Sequence, residues 1–471
     1  MLDLAIAGGI AVFPEGPQLA DIGIHGERIA VIAEPGRLPA ATRVIAATGR
    51  FVLPGLVDPH THPGNTRPLA ADLASETRSA ALGGVTTMLG TVKVPRFRSD
   101  SPALTTPADA ISYLAAFPPI RRAVDSIAHV DVGFSFVVMT AEHATDIPRM
   151  VSDCGVLSFK FMVTYPPTTT WGARVGMPIF PDDGVIFAGF RACAAAGALA
   201  MVHAENAQVI EAIGAQLVAG RAGLAAWEAR FPGYLEASEI RKAAGFAQAA
   251  GARCYIAHVT SREGMAAVEL ARNEGVDLWA ETCPQYLALD LERDEARGLL
   301  AKFNPPVRRR ADVDVLWAAL ASGRIAAVGS DHVPNPRSLK MGDGTIEGAT
   351  AASPGVATLL PLLWTFGVQA GRIRPEQLAS VASEGPARLF GLFPRKGAIR
   401  PGADADLVVC DPATSRRVDP ATLESAADYS AYEGIELVGW PTVTVLRGRV
   451  VAEGGRVVGP PRGRYLHRPL S

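Results

Sequence analysis

Short apolar runs recur through the middle of the chain, most of them separated by Ala-rich stretches of helical pattern such as 237–250 and 262–274. Eight of these runs predict strands: 51–57, 85–90, 131–139, 156–163, 198–203, 253–258, 276–281 and 325–330. Strand–helix repeats of this number over roughly 300 residues predict a TIM-type (β/α)8 barrel, an α/β fold with its chemistry at the C-terminal ends of the strands. The chain ends read differently. Leu4–Ala7, Ile10–Phe13, Asp21–Ile24 and Ile29–Ile32 are short strands with a turn at His25-Gly26-Glu27. Ala405–Val409, Val443–Leu446 and Val450–Ala452, the last two joined by a turn at Arg447-Gly448, repeat that pattern at the other end. Neither end alone can build a generous core. Together they predict one small β-sandwich domain from 1–50 and 396–471, with the barrel over 51–395.

Length and composition agree with this division. A chain of 471 residues, 48% hydrophobic and 20% charged, can bury a sizeable core and is too long for one ordinary domain. A formal net charge of -2 argues against a broad nucleic-acid footprint. The five cysteines are scattered with no Cys-x-x-Cys pair, which reads as reduced thiols in a cytoplasmic protein. Met1–Ala5 carries an acid and no basic run, so no signal peptide is expected. The apolar tract around 192–202 is too short to span a bilayer.

The ends of the predicted strands carry the candidate chemistry. The first delivers Asp58-Pro59-His60-Thr61-His62. Histidines at i and i+2 on an extended segment share a face and can share one metal ion. Such a pair alone is also what two satisfied histidines look like. The fourth strand, however, ends through Phe159-Lys160-Phe161-Met162, the fifth at His203-Ala204-Glu205-Asn206, the sixth at His258 and the eighth at Ser330-Asp331-His332. Histidines and a carboxylate gathered on one rim suit zinc and similar transition metals. Lys160 fits awkwardly, because an ammonium repels cations and a bare charge in an apolar strand is costly.

These motifs, with Glu281-Thr282-Cys283-Pro284-Gln285-Tyr286-Leu287, Asn304-Pro305-Pro306-Val307-Arg308 and Gly397–Val408, resemble the cyclic amidohydrolases of the amidohydrolase superfamily. The likeness covers essentially the whole chain and is greatest for the dihydropyrimidinase/D-hydantoinase branch, with dihydroorotase and allantoinase as cousins. It implies two divalent metal ions, zinc foremost. His60, His62, Asp331 and a carboxylated Lys160 would hold one, and Lys160, His203 and His258 the other. It further implies opening of a cyclic amide or ureide by a metal-bridging hydroxide, with Asp331 as general acid/base and Tyr165 donating to the oxyanion. Family members are homotetramers or dimers, and the implied partner is a small cyclic amide, with neither nucleic acid nor membrane.

Several positions depart from the family pattern. Dihydroorotases carry an arginine two residues after the second histidine; here that residue is Gly64, with Arg67 three residues further on as a substitute or a solvated loop residue. Asn304 stands where the family has serine before Pro-Pro. The loop Ala349–Gly355 lacks the family's substrate-binding asparagine, and Trp171, in the loop 166–177, lines the pocket or packs on the barrel. These changes leave an allantoinase-like or acyclic amide hydrolase as an alternative. A non-catalytic scaffold is disfavoured by the intact ligand set.

Overall fold

In a computed structural model the chain is described over residues 1–93, 111–163 and 181–468. Nineteen strands in chain order are β1 Leu2–Phe13, β2 Gly16–His25, β3 Arg28–Ala33, β4 Ala41–Ala46, β5 Phe51–Pro54, β6 Leu56–Thr61, β7 Val85–Val92, β8 Asp131–Val137, β9 Ser158–Val163, β10 Leu199–Ala204, β11 Arg253–Ile256, β12 Leu278–Thr282, β13 Ala327–Val328, β14 Leu407–Asp411, β15 Arg416–Arg417, β16 Glu436–Leu437, β17 Trp440–Leu446, β18 Arg449–Glu453 and β19 Arg456–Val457.

Strands β6 to β13 form one eight-stranded sheet in sequence order, and its pairs are parallel. The segment after β13 then meets β6. Thr61 bridges His332, and the His62 N–H donates to the His332 carbonyl at 2.8 Å. The barrel is thereby nearly closed, with helices such as Gly233–Ala250 and Arg262–Asn273 outside it. Its strands are almost wholly buried, which is why they read as continuous apolar runs rather than alternating ones.

Strands from both chain ends join in one nine-stranded sheet, ordered β19-β18-β17-β14-β5-β1-β2-β3, with β4 added alongside β1. Leu4, Ile6, Ile22, Ile45, Val52, Leu407 and Val445 build its core. Two expectations change here. The predicted strands at Leu4–Ala7 and Ile10–Phe13 are one strand, β1, whose pairing with β2 shifts register between Ile6 and Gly9. The run 51–57 is two strands. Phe51–Pro54 pairs with β1 and β14 in the terminal sheet, and only Leu56–Thr61 enters the barrel. Gly55 makes the switch possible. A Cβ there would lie 3.0 Å from the Asp406 Cβ and closer still to Thr86.

The five cysteines are free and buried. Among the described residues no helix is long and apolar enough to cross a membrane.

Candidate metal centre

The barrel places four side chains of three chemical types on one point. His60 and His62 come from the end of β6 and the residue after it, Lys160 from β9 and Asp331 from the loop after β13. The His60 and His62 Nε2 atoms face each other at 3.2 Å. Asp331 Oδ1 lies 2.9 Å from His62 Nε2 and 3.4 Å from His60 Nε2. Lys160 Nζ is 3.0 Å from His60 Nε2. The ligand atoms of His60, His62 and Asp331 all lie within 4.8 Å of one another. The rings of His203, on β10, and His258, just past β11, stand beside them: the His258 ring is 4.4 Å from His203 and 5.5 Å from His60. All six expected metal residues thus converge, four of them buried and the other two, His62 and Asp331, reaching the rim.

Two backbone positions are bent to achieve this. His258 and Asp331 have φ of 39° and 52°, a left-handed conformation that ordinary residues seldom adopt. Each lies two or three residues past a strand end, where the unusual φ re-aims the side chain.

Electrostatics prepare the ligands for a cation. Burial pushes the His62 imidazole down to about 3, and burial likewise lowers His203 and, more strongly, His258, which also feels His203 and Lys160. These rings are therefore neutral, as metal ligation requires. Burial would raise the Asp331 carboxyl, but His60, His62 and His258 outweigh it and hold it well below the usual range. Burial also lowers the Lys160 ammonium.

Carboxylates behind the histidines fix their tautomers. His60 Nδ1 donates to Glu281 Oε1 at 2.7 Å, which leaves Nε2 to face the centre. Glu281 also accepts from the Tyr255 hydroxyl at 2.6 Å and the His258 backbone at 3.1 Å. His203 Nε2 donates to Glu205 Oε2 at 2.8 Å, leaving Nδ1 for a ligand. Asp58 accepts from Ser330 Oγ at 2.5 Å and from the His60 backbone at 3.2 Å, so it joins the first and eighth strands under the ligands. Sequence reading assigned no role to Glu205, Glu281 or Asp58. Their signal was present: each is an acid at the end of an apolar strand.

The expected substrate residues fare unequally. Asn304 Nδ2 donates to Glu205 Oε2 at 2.9 Å, one step from His203. Arg67 lies against α1 (Leu69–Leu82), with Nη1 3.2 Å from Asp72 Oδ1 and 3.4 Å from Ser75 Oγ. Tyr165, Trp171 and the loop 166–177 lie outside the described residues.

Buried neutral imidazoles, an ionised carboxylate and a low-pKa lysine fit divalent metal ions. The comparisons with known proteins agree. Residues 51–451 match the model of the amidohydrolase family. The chain is 32% identical over 468 residues to the D-hydantoinase of Geobacillus stearothermophilus, covering 95% of this chain and 93% of that protein. It is 34% identical over 470 residues to the allantoinase of Rubrobacter xylanophilus, covering 98% and 97%. Its fold superposes on the L-hydantoinase (dihydropyrimidinase) of Arthrobacter aurescens with a TM-score of 0.88 at 32% identity, covering 99% of both chains. With its candidate metal ligands gathered at the C-terminal rim of the barrel and its likeness running from end to end, this chain belongs to the amidohydrolase family.

Proposed function

We propose that the protein hydrolyses the ring of a hydantoin- or dihydropyrimidine-type cyclic ureide. The observation that carries this reading is the convergence of His60, His62, Lys160 and Asp331, with His203 and His258 beside them, in a chain similar over its full length to a D-hydantoinase. Two divalent ions, zinc foremost, supply Lewis acidity and lower the pKa of a coordinated water when bound.

The chain's own groups do the rest. Lys160, its ammonium disfavoured by burial, offers a neutral amine. Carbamylation would form an N–C bond from the amine to carbon dioxide with loss of one proton, giving an acidic side chain able to serve as a ligand. His60, His62 and Asp331 would hold one ion and His203 and His258 the other, with the Lys160 carbamate as a shared ligand. Asp331, ionised and beside His62, accepts the proton of the attacking water and returns it to the departing ring nitrogen. The family resemblance gives Tyr165 the role of donor to the oxyanion and makes Asn304, Arg67 and Trp171 the candidate substrate contacts. The departures at Asn304 and in the loop 349–355 support a second reading, an allantoin-like or acyclic amide opened by the same groups.

We place the catalytic unit at 51–395 and the composite unit at 1–50 and 396–471, in a cytoplasmic homo-oligomer, tetramer or dimer. Buried free thiols agree with a reducing compartment. The deciding experiment follows ring opening of hydantoin, 5-phenylhydantoin, dihydrouracil, dihydroorotate and allantoin by zinc-loaded protein. Turnover of a hydantoin or dihydrouracil is the expected result. Turnover of allantoin alone would move the substrate to the second reading, and silence across the panel with two metals bound would overturn both cyclic readings.

A further inference from the structure

Two lysines outside the metal centre, Lys302 and Lys340, are completely buried. An ammonium removed from water is tolerated only where its three N–H groups find acceptors. Lys340 Nζ donates to three backbone carbonyls: Lys302 at 2.6 Å, Ala352 at 2.7 Å and Thr350 at 3.0 Å. The Thr350 N–H returns to the Lys340 carbonyl at 3.0 Å. Lys302 Nζ in turn donates to the Ala349 carbonyl at 2.6 Å and stands 3.9 Å above the Trp227 ring. Among the described residues no carboxylate forms an ion pair with Lys340. Burial and the Lys302 charge depress its pKa well below the usual lysine range.

The three carbonyls belong to two different loops. Lys302 follows the 3-10 helix Glu295–Ala301 in the long connection after β12. Two residues on, Asn304 touches Glu205, which orients His203. Thr350 and Ala352 lie in the loop after β13. There Ser353 bridges His332, the neighbour of Asp331, and accepts from the Val333 N–H at 3.1 Å. The Lys340 ammonium therefore ties the loop that reaches His203 to the loop that runs beside Asp331 through three carbonyls, with the Lys302–Ala349 contact as a second tie beside it. The Tyr429 hydroxyl holds the Ala352 carbonyl from the other side at 3.0 Å.

We propose that Lys340 is a positioning residue for the substrate: its ammonium joins the loops after β12 and β13 and sets the slot in which the ring sits. The proposal rests on the ring-opening reading for its substrate, and on that alone. The loop 349–355, which lacks a side-chain amide, holds its shape through backbone carbonyls pinned by the lysine. Loosening it lets the ring bind poorly while leaving the metal ligands in place.

The test is Lys340→Met in the full-length, zinc-loaded protein, with hydrogen–deuterium exchange, metal content and steady-state kinetics on a ring the wild type opens. The expected result is exchange at least about tenfold faster in 302–308 and 349–355, with β10 and β11 unchanged and two metals retained. KM rises about tenfold or more while kcat stays within about threefold, a split that general destabilisation does not produce. Unchanged exchange in either loop, or an unchanged KM, overturns the proposal. Should Lys340→Met fail to fold, Tyr429→Phe releases Ala352 from the opposite side. It is expected to speed exchange at 350–353 and raise KM about threefold, and no change in both overturns the proposal. If the wild type opens none of the rings, the ring-opening reading fails, and the exchange pattern alone decides for or against the clamp.

Discussion

The barrel buries charge at both of its ends, in opposite ways. At the C-terminal end burial lowers the pKa of His62, His203, His258 and Lys160, and nitrogen atoms point at one another across about 3 Å. At the other end Asp131, the first residue of β8, meets Lys396, Asp404, Asp406 and Arg447 from the segment that returns to the terminal sheet. Lys396 Nζ lies 2.8 Å from Asp131, 2.5 Å from Asp406 and 3.3 Å from Asp404. Arg447 also reaches Asp131, and its N–H donates to Asp406 at 2.7 Å. Burial would lower the Lys396 ammonium, but the three carboxylates raise it. Either end contains three close ligand-type side chains. The two trios differ in chemistry: two imidazoles and one carboxylate at one end, three carboxylates around an ammonium at the other. The acid trio already holds an ammonium, so it is a fastening between barrel and sheet, whereas the histidine end is built to receive metal.

Removing one residue from each end separates the two roles. Lys160→Ala is expected to lower kcat/KM by at least ~10³-fold and to reduce bound metal below two per chain, with unfolding by denaturant barely changed. Metal analysis and activity check this together, and full metal and activity in that variant would remove Lys160 from the ligand set. Lys396→Met leaves three buried carboxylates unbalanced, and breaking a buried pair in this way costs about 3–5 kcal/mol. Denaturant unfolding measures it, while the folded fraction should keep its metals and kcat.

The two ends also respond to pH in opposite senses. His62 has a folded pKa lowered to about 3 from a usual 6.5, so the unfolded chain binds its proton first. Stability of the metal-free protein is therefore expected to fall as pH drops from about 6.5 toward 3. Lys396 is raised above its usual 10.5. Its contribution is complete below that pH and is lost only as pH climbs past it through the folded value. Metal-free wild type and Lys396→Met should thus show parallel acid limbs and differ at neutral pH. Parallel loss at alkaline pH alone would contradict this division.

How legible these features were in the sequence follows from the same physics. The histidines, Lys160 and Asp331 announced themselves because each interrupts the end of an apolar strand, where an ionisable side chain needs a reason. The break at Gly55 did not, because Phe51–Val57 is apolar throughout: β5 packs into the terminal sheet and β6 into the barrel, and periodicity cannot tell two buried surroundings apart. Glu281 was visible only as an acid after Ala280. Its role depends on Tyr255 and His60, distant in sequence, arriving on either side of it. The surroundings of Arg67 were hidden for the complementary reason: its position near His62 says nothing about Asp72 and Ser75, a turn of helix away.

Glu281 and Arg67 supply the finer tests. Glu281→Gln keeps the shape but weakens the hold on His60 Nδ1, and metal affinity should fall about 10–100-fold, read by competition with a chelator. An unchanged affinity would mean that the barrel walls alone orient His60. Arg67→Ala removes a half-exposed partner of Asp72, an interaction worth about 1 kcal/mol or less. Metal content and kcat/KM for a neutral ring should change by less than about threefold. The informative comparison is dihydroorotate, whose carboxylate gives a free guanidinium something to grip. With Arg67 engaged by the helix, the variant and the wild type should handle that substrate alike. A selective rise in KM for it would show that Arg67 leaves Asp72 when an anion enters, and would extend the metal centre's reach to the rim.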